Sequence, residues 1–83
     1  RSAQGNEVKI VVFDVPERER KKRDWLRAVL KQLKFRMLQR SVWIGKTIVP
    51  EEFIDDLRRL RLISYVEILA VTKTGSLKSV SLE

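Results

Sequence analysis

Hydrophobic spacing along this chain switches between a period of two and a helical period in a fixed order, and that order restricts the fold more than any single residue. Glu7 to Val15 alternates: Val8, Ile10 and Val12 share one face, and Lys9, Val11, Phe13 and Val15 the other. Near its end the run is apolar on both faces, as in a central strand covered on one side by helices. Pro16 stops it, because proline has no N–H to donate to a ladder. Pro16 to Leu33 then follows helical spacing, with Leu26, Val29, Leu30 and Leu33 as the apolar stripe and Trp25 beside it. Strand spacing returns in Phe35 to Gln39 and Arg40 to Gly45, where Met37, Leu38, Val42, Trp43 and Ile44 supply the apolar positions. A turn is expected near Gln39–Arg40, although no glycine or proline announces it. Pro50 to Leu60 is again helical, with Pro50 suited to the first helical position and Phe53, Ile54, Leu57 and Leu60 as its stripe. Its acids come early and its arginines late, which complements the helix dipole. Ser64 to Val71 reads as a strand, Thr72 to Ser76 as a loop, and Leu77 to Leu82 alternates weakly, as a short fifth strand would.

Strand–helix–strand–strand–helix–strand is the order of the split βαβ unit. The expected fold is α+β and ferredoxin-like (βαββαβ): a four-stranded antiparallel sheet with two helices on one face and a short fifth strand. Right-handed crossovers place both helices on the same face, so the other face is left apolar and uncovered. Such a face marks an interface, and a homodimer formed through it, assisted by the tail strand, is expected. At 83 residues the chain is one domain over residues 7–83, preceded by a polar stretch, Arg1 to Asn6, that reads as a linker or cloning remnant. Arg1 to Asn6 has no apolar signal-peptide core, and no apolar run approaches the ~20 residues that span a bilayer. A cytoplasmic protein with no membrane partner is the expectation.

Cysteine and histidine are both absent. Disulfides, zinc fingers, thiol catalysis and the usual neutral-pH general base are thereby excluded. Carboxylates, hydroxyls, lysine or a hard metal ion are what remains. The formal charge is +7 with a pI near 10.3, which draws DNA, RNA or other polyanions, or else keeps a small domain soluble. Arg18, Arg20, Lys21, Lys22 and Arg23 form the densest basic cluster, and with Arg27 and Arg40 they are the candidate nucleic-acid-binding residues. The alternative for the helix face bearing Arg20, Asp24, Arg27, Lys31 and Lys34 is simple solvation. Asp14, at the end of the first strand on the Val8–Ile10–Val12 side, is placed either to ligate Mg²⁺ or Mn²⁺ or to cap the following turn. Glu17, Glu19 and Asp24 follow closely, as further ligands or as first-turn helix charges. Phe13 and Trp43 lack the glycine- and aromatic-rich setting of an RNA-recognition sheet. Ser41, with no histidine or poised lysine, is a turn residue rather than a nucleophile.

The strings VVFDVPERERKKRDWLRAVLKQLKF and RMLQRSVWIG resemble the Cas-two-like domain family over about Lys9 to Leu69. The shared features are Phe13–Asp14–Val15–Pro16, the basic helix after it, and Gln39-x-Ser41–Val42–Trp43. One branch of that family is the CRISPR-associated Cas-two protein. The other is the central domain of PaaX-type transcriptional regulators, which follows a winged-helix DNA-binding domain. Pro16–Glu17, Arg23-x-x-Leu26–Arg27 and the tryptophan of Ser41–Val42–Trp43 are similar to the regulator branch. Lys34 departs from both branches, which often have glycine before the next strand.

The resemblance implies a homodimer of ferredoxin-like domains. It also implies that Asp14 stands where the CRISPR branch has its metal-binding and catalytic aspartate. Two readings follow. The first is a homodimerising module of a PaaX-type regulator with a basic surface for DNA, excised from a longer chain. The alternative is a CRISPR-associated protein, either a Mg²⁺-dependent endonuclease using Asp14 or a non-catalytic scaffold bound to the spacer integrase subunit.

Overall fold

A computed structural model describes residues 4–71, 75–80 and 82. Strand β1 (Gln4–Phe13) leads through Asp14–Val15–Pro16 to a single 3-10 turn (Glu17–Glu19) and helix α1 (Arg20–Gln32). Strands β2 (Arg36–Gln39) and β3 (Val42–Thr47) form a hairpin, followed by helix α2 (Glu51–Arg59). A second 3-10 turn (Ile63–Tyr65), strand β4 (Val66–Val71) and strand β5 (Leu77–Val80) complete the described elements. The sheet is antiparallel throughout, in the order β2-β3-β1-β4-β5. That is the expected ferredoxin-like arrangement, with the fifth strand added beside β4 of the same chain.

Register assigns the faces. Val11 is paired with Trp43 on one side and Ile68 on the other, and all three are buried at no more than 1% exposure. They form the helix-covered face with Phe13, Val66 and Ala70, and they meet Leu26 and Leu30 of α1 and Phe53 and Leu57 of α2 in one core. Trp25 and Phe53 stack with ring centroids 6.4 Å apart, which locks the two helices side by side. Truncating a fully enclosed leucine such as Leu57 costs about 2–5 kcal/mol in a core of this kind.

Both helices end in the same way. After α1, the Lys34 N–H donates to the Lys31 carbonyl and the Phe35 N–H to the Leu30 carbonyl, each at 3.0 Å. After α2, the Arg61 N–H donates to the Arg58 carbonyl at 3.1 Å and the Leu62 N–H to the Leu57 carbonyl at 2.8 Å. This double closure is the Schellman motif, which needs a left-handed residue just past the helix and normally recruits glycine. Here Lys34 (φ 72) and Arg61 (φ 61) fill the two positions. The departure at Lys34 therefore alters the residue and not the helix ending.

Several boundaries move from the sequence reading, each for a local reason. β1 begins at Gln4, inside the stretch read as a linker, because Gln4 pairs with Thr47 across an irregularity in the ladder. The first helical turn is 3-10, because the Glu19 N–H closes on the Pro16 carbonyl at 2.9 Å. Pro50 is extended (ψ 149) and stands at the helix cap, one position before the first helical residue. The β2–β3 turn lies at Arg40–Ser41 and needs no glycine, because the Arg40 carbonyl accepts from both Trp43 Nε1 and Arg27 Nε, each at 3.3 Å. Thr72 to Thr74, most of the expected loop, fall outside the described residues.

Candidate nucleic-acid interface and the Asp14 end of the sheet

Asp14 follows β1 immediately. Its N–H donates to the Tyr65 carbonyl at 2.8 Å, which holds the residue against the entry to β4. Its side chain is exposed, and it caps nothing: the residues at the helix caps are Pro16 and Glu19, neither with a side-chain cap bond. Asp14 lines an open depression of about 500 Å³ whose other polar lining comes from Ser64, Tyr65, Glu67 and Ser79. Ser79 Oγ donates to Glu67 Oε2 at 3.3 Å.

Glu17, Glu19 and Asp24 do not join Asp14. Glu17 takes Arg23 at 3.2 Å and Arg20 at 3.8 Å, Glu19 takes Lys22 at 3.4 Å, and Asp24 takes Arg27 at 3.7 Å. Among the described residues no three acidic side chains gather as a metal cage. Spacing explains three of these pairs, since Glu17–Arg20, Glu19–Lys22 and Asp24–Arg27 are each three residues apart on helical or 3-10 backbone, where such neighbours meet first.

The same pairs reshape the basic cluster. Arg18, Arg20, Lys21 and Lys22 line one shallow depression, with Glu17 and Glu19 set among them. Lys22 Nζ also donates to the Leu60 carbonyl at 3.0 Å, tying the start of α1 to the last turn of α2. Arg23 Nη1 is held by Glu17, and its Nε is buried without a protein partner. Arg27 does not stand on a solvated helix face: its side chain is 20% exposed, lies 5.9 Å from the Phe13 ring centroid and donates to the Arg40 carbonyl. Of the candidate phosphate contacts, Arg18, Lys21 and Arg40 are exposed and have no ion pair among the described residues. The structure thus brings Arg18 to Lys22 together on one side and Arg27 with Arg40 on another, much of their charge already engaged.

Two further features complete the surface. The face of the sheet away from the helices carries Val8, Ile10 and Val12 of β1, Val42 and Ile44 of β3, and Leu69 and Val71 of β4. All seven are half-buried, and none belongs to the helix-covered core or packs against it. At the β2–β3 end, Lys34, Arg36 and Lys46 line a separate groove. Charge counting along the sequence does not reveal that grouping. It appears only once the turn is placed at Arg40–Ser41, which pairs Arg36 with Ile44 and sets Lys46 one step diagonally away.

Comparison with curated proteins found no match, and comparison with solved structures found none. The family described as the PaaX protein central Cas2-like domain matches residues 7–82. That span takes in every element from β1 to β5 except the first three residues of β1. The chain belongs to the PaaX central Cas2-like domain family.

Proposed function

We infer that the domain is the self-associating assembly module of a PaaX-type transcriptional regulator, pairing two copies through the open sheet face and presenting basic flanks to DNA. The observation that carries the pairing is the half-buried apolar strip of Ile10, Val12, Val42, Leu69 and Val71, which lies outside the helix-covered core. It runs across the three central strands with no charged side chain at its middle. Contiguous apolar surface of this kind stays in water only at a cost, which a second copy of the same face removes. At the β4–β5 edge, Glu67 and Ser79 supply polar groups of the kind that rim interfaces. Sedimentation tests the reading. Wild type should sediment as a pair of 9.8 kDa chains, and Ile10→Asp, at the centre of the strip, as a folded single chain. A wild type that stays monomeric, or a pair indifferent to Ile10→Asp, overturns it.

A second reading is supported by the place of Asp14, whose carboxylate is exposed at the edge of that open face with no partner among the described residues. Pairing two such faces brings two carboxylates toward one axis, where Mg²⁺ or Mn²⁺ would bind and activate water for phosphodiester cleavage. In that reading the chain is a CRISPR-type nuclease or, without cutting, an integrase scaffold. Cleavage of RNA or duplex DNA with Mg²⁺ that disappears in Asp14→Ala supports the nuclease. Equal activity in the two proteins removes Asp14 from catalysis.

A further inference from the structure

The groove at the β2–β3 end differs from the basic depression beside α1. Lys34, Arg36 and Lys46 line it with Val8, Ile44 and Gly45, around a volume of about 340 Å³. No acid lines it. None of the three cations has an ion pair or a side-chain hydrogen bond among the described residues. In the α1 depression, by contrast, Glu17 and Glu19 are part of the lining and engage Arg20 and Lys22, leaving Arg18 and Lys21 without an ion pair among the described residues.

The backbone that carries these cations is firmly placed. Lys34 sits in the left-handed position closed by the two bonds back to α1. Phe35 is 5% exposed and lies across Gly45, whose missing Cβ leaves room for the ring. Lys34 and Arg36 therefore leave the chain on either side of an anchored residue. Arg36 pairs with Ile44, so Lys46 is its diagonal neighbour on the same face, at about 7–8 Å. That is the scale of the spacing between successive phosphates on one strand. The groove is open, and its floor of Val8, Ile44 and Gly45 offers no side-chain donors with which to enclose a single anion. Point charges set along an open groove suit an extended polyanion, which they position without reading its bases.

We propose that the Lys34–Arg36–Lys46 groove, rather than the α1 cluster, is the surface that grips the phosphate backbone of nucleic acid. This rests on the DNA-contacting part of the proposed function and assigns it to different residues. The test compares two variants that each remove three charges from the full chain: Lys34→Gln with Arg36→Gln and Lys46→Gln, and Arg18→Gln with Arg20→Gln and Lys21→Gln. All six side chains are exposed, and thermal melts verify folding. Binding of a short fluorescent duplex is followed by anisotropy across a salt series. Each lost phosphate contact flattens the slope of log K against log salt by about 0.9. The groove variant is expected to lose about 2.7 from the slope, and the α1 variant less than about 1. Equal losses, or a loss confined to the α1 variant, overturn the groove while leaving DNA binding intact. Absence of wild-type binding at low salt overturns DNA binding itself and the groove with it. Inorganic phosphate competing better than chloride at matched ionic strength identifies a single-anion site and overturns the backbone assignment.

Discussion

Gly45 is the position where one added methyl should do the most local damage. A Cβ there would stand 3.0 Å from Phe35 Cδ2, 3.1 Å from Cγ and 3.3 Å from the Phe35 Cα. Comfortable carbon contacts begin at about 3.5 Å, so the ring and its backbone would have to retreat by about half an ångström. Phe35 has little freedom to do so, since its N–H is bound to the Leu30 carbonyl and its side chain is in the core. Alanine in place of a glycine of ordinary backbone conformation gains about 0.4–1 kcal/mol through the unfolded chain. Overpacking costs about 1–3 kcal/mol. The expected balance for Gly45→Ala is a loss of about 1–2 kcal/mol, which lowers Tm by about 4–16 °C in a domain of this size. Urea titration is the assay, and the midpoint should fall while the slope holds, because the folded state alone has changed. Repeating the substitution in a Phe35→Leu background isolates the cause. With the ring gone the added methyl should cost less than about 0.5 kcal/mol, giving a coupling of about 0.5 kcal/mol or more. Gly45→Ala that raises the midpoint, or that costs the same in both backgrounds, would refute the packing argument.

Two other substitutions probe the left-handed helix ending and the hairpin turn. Arg61→Gly should stabilise the fold by about 0.5–1 kcal/mol, because relief of the left-handed strain (about 1–2 kcal/mol) exceeds the added freedom of the unfolded chain; calorimetry that finds Arg61→Gly no more stable than Arg61→Ala would sink this. Trp43→Phe should cost about 1–3 kcal/mol by losing the Nε1 bond to Arg40 and part of a buried ring. It should also speed amide exchange in the Arg40–Ser41 turn, whereas a purely volumetric effect would leave the turn's exchange unchanged.

The alternation of β1 and the stripes of both helices are legible in the residues, since Val11, Phe13, Leu26, Leu30, Phe53 and Leu57 all fall in the core that their spacing implies. The hairpin turn is not, because what holds it is a tryptophan three residues on and an arginine on α1 that meet at one carbonyl only after folding. The helix ends are concealed in a similar way, with a lysine and an arginine standing where glycine would have signalled a stop. Asp14 could be singled out as the well-placed carboxylate at the end of the first strand, yet the fate of its neighbours depends on helix register. Glu17, Glu19 and Asp24 count as potential ligands along the chain and become partners of arginine and lysine once α1 forms. The groove cations illustrate the opposite case, scattered in sequence and gathered by strand pairing.

The strand order has a kinetic consequence. β1 is the first of the described strands, yet its neighbours in the sheet are β3 and β4, and its rungs join Val11 to Trp43 and to Ile68. Closing those two loops costs chain entropy before the core contacts can return it, and topologies rich in such distant pairs fold slowly. The two ladders are also unequal in timing. The β1–β3 ladder becomes available once the hairpin has emerged from the ribosome, whereas the β1–β4 ladder must wait for most of the domain to be made. In that interval β1 presents an unsatisfied edge and the open strip lies beside it. The same apolar strip that serves association in the finished fold is, in the nascent chain, the segment most in need of shielding.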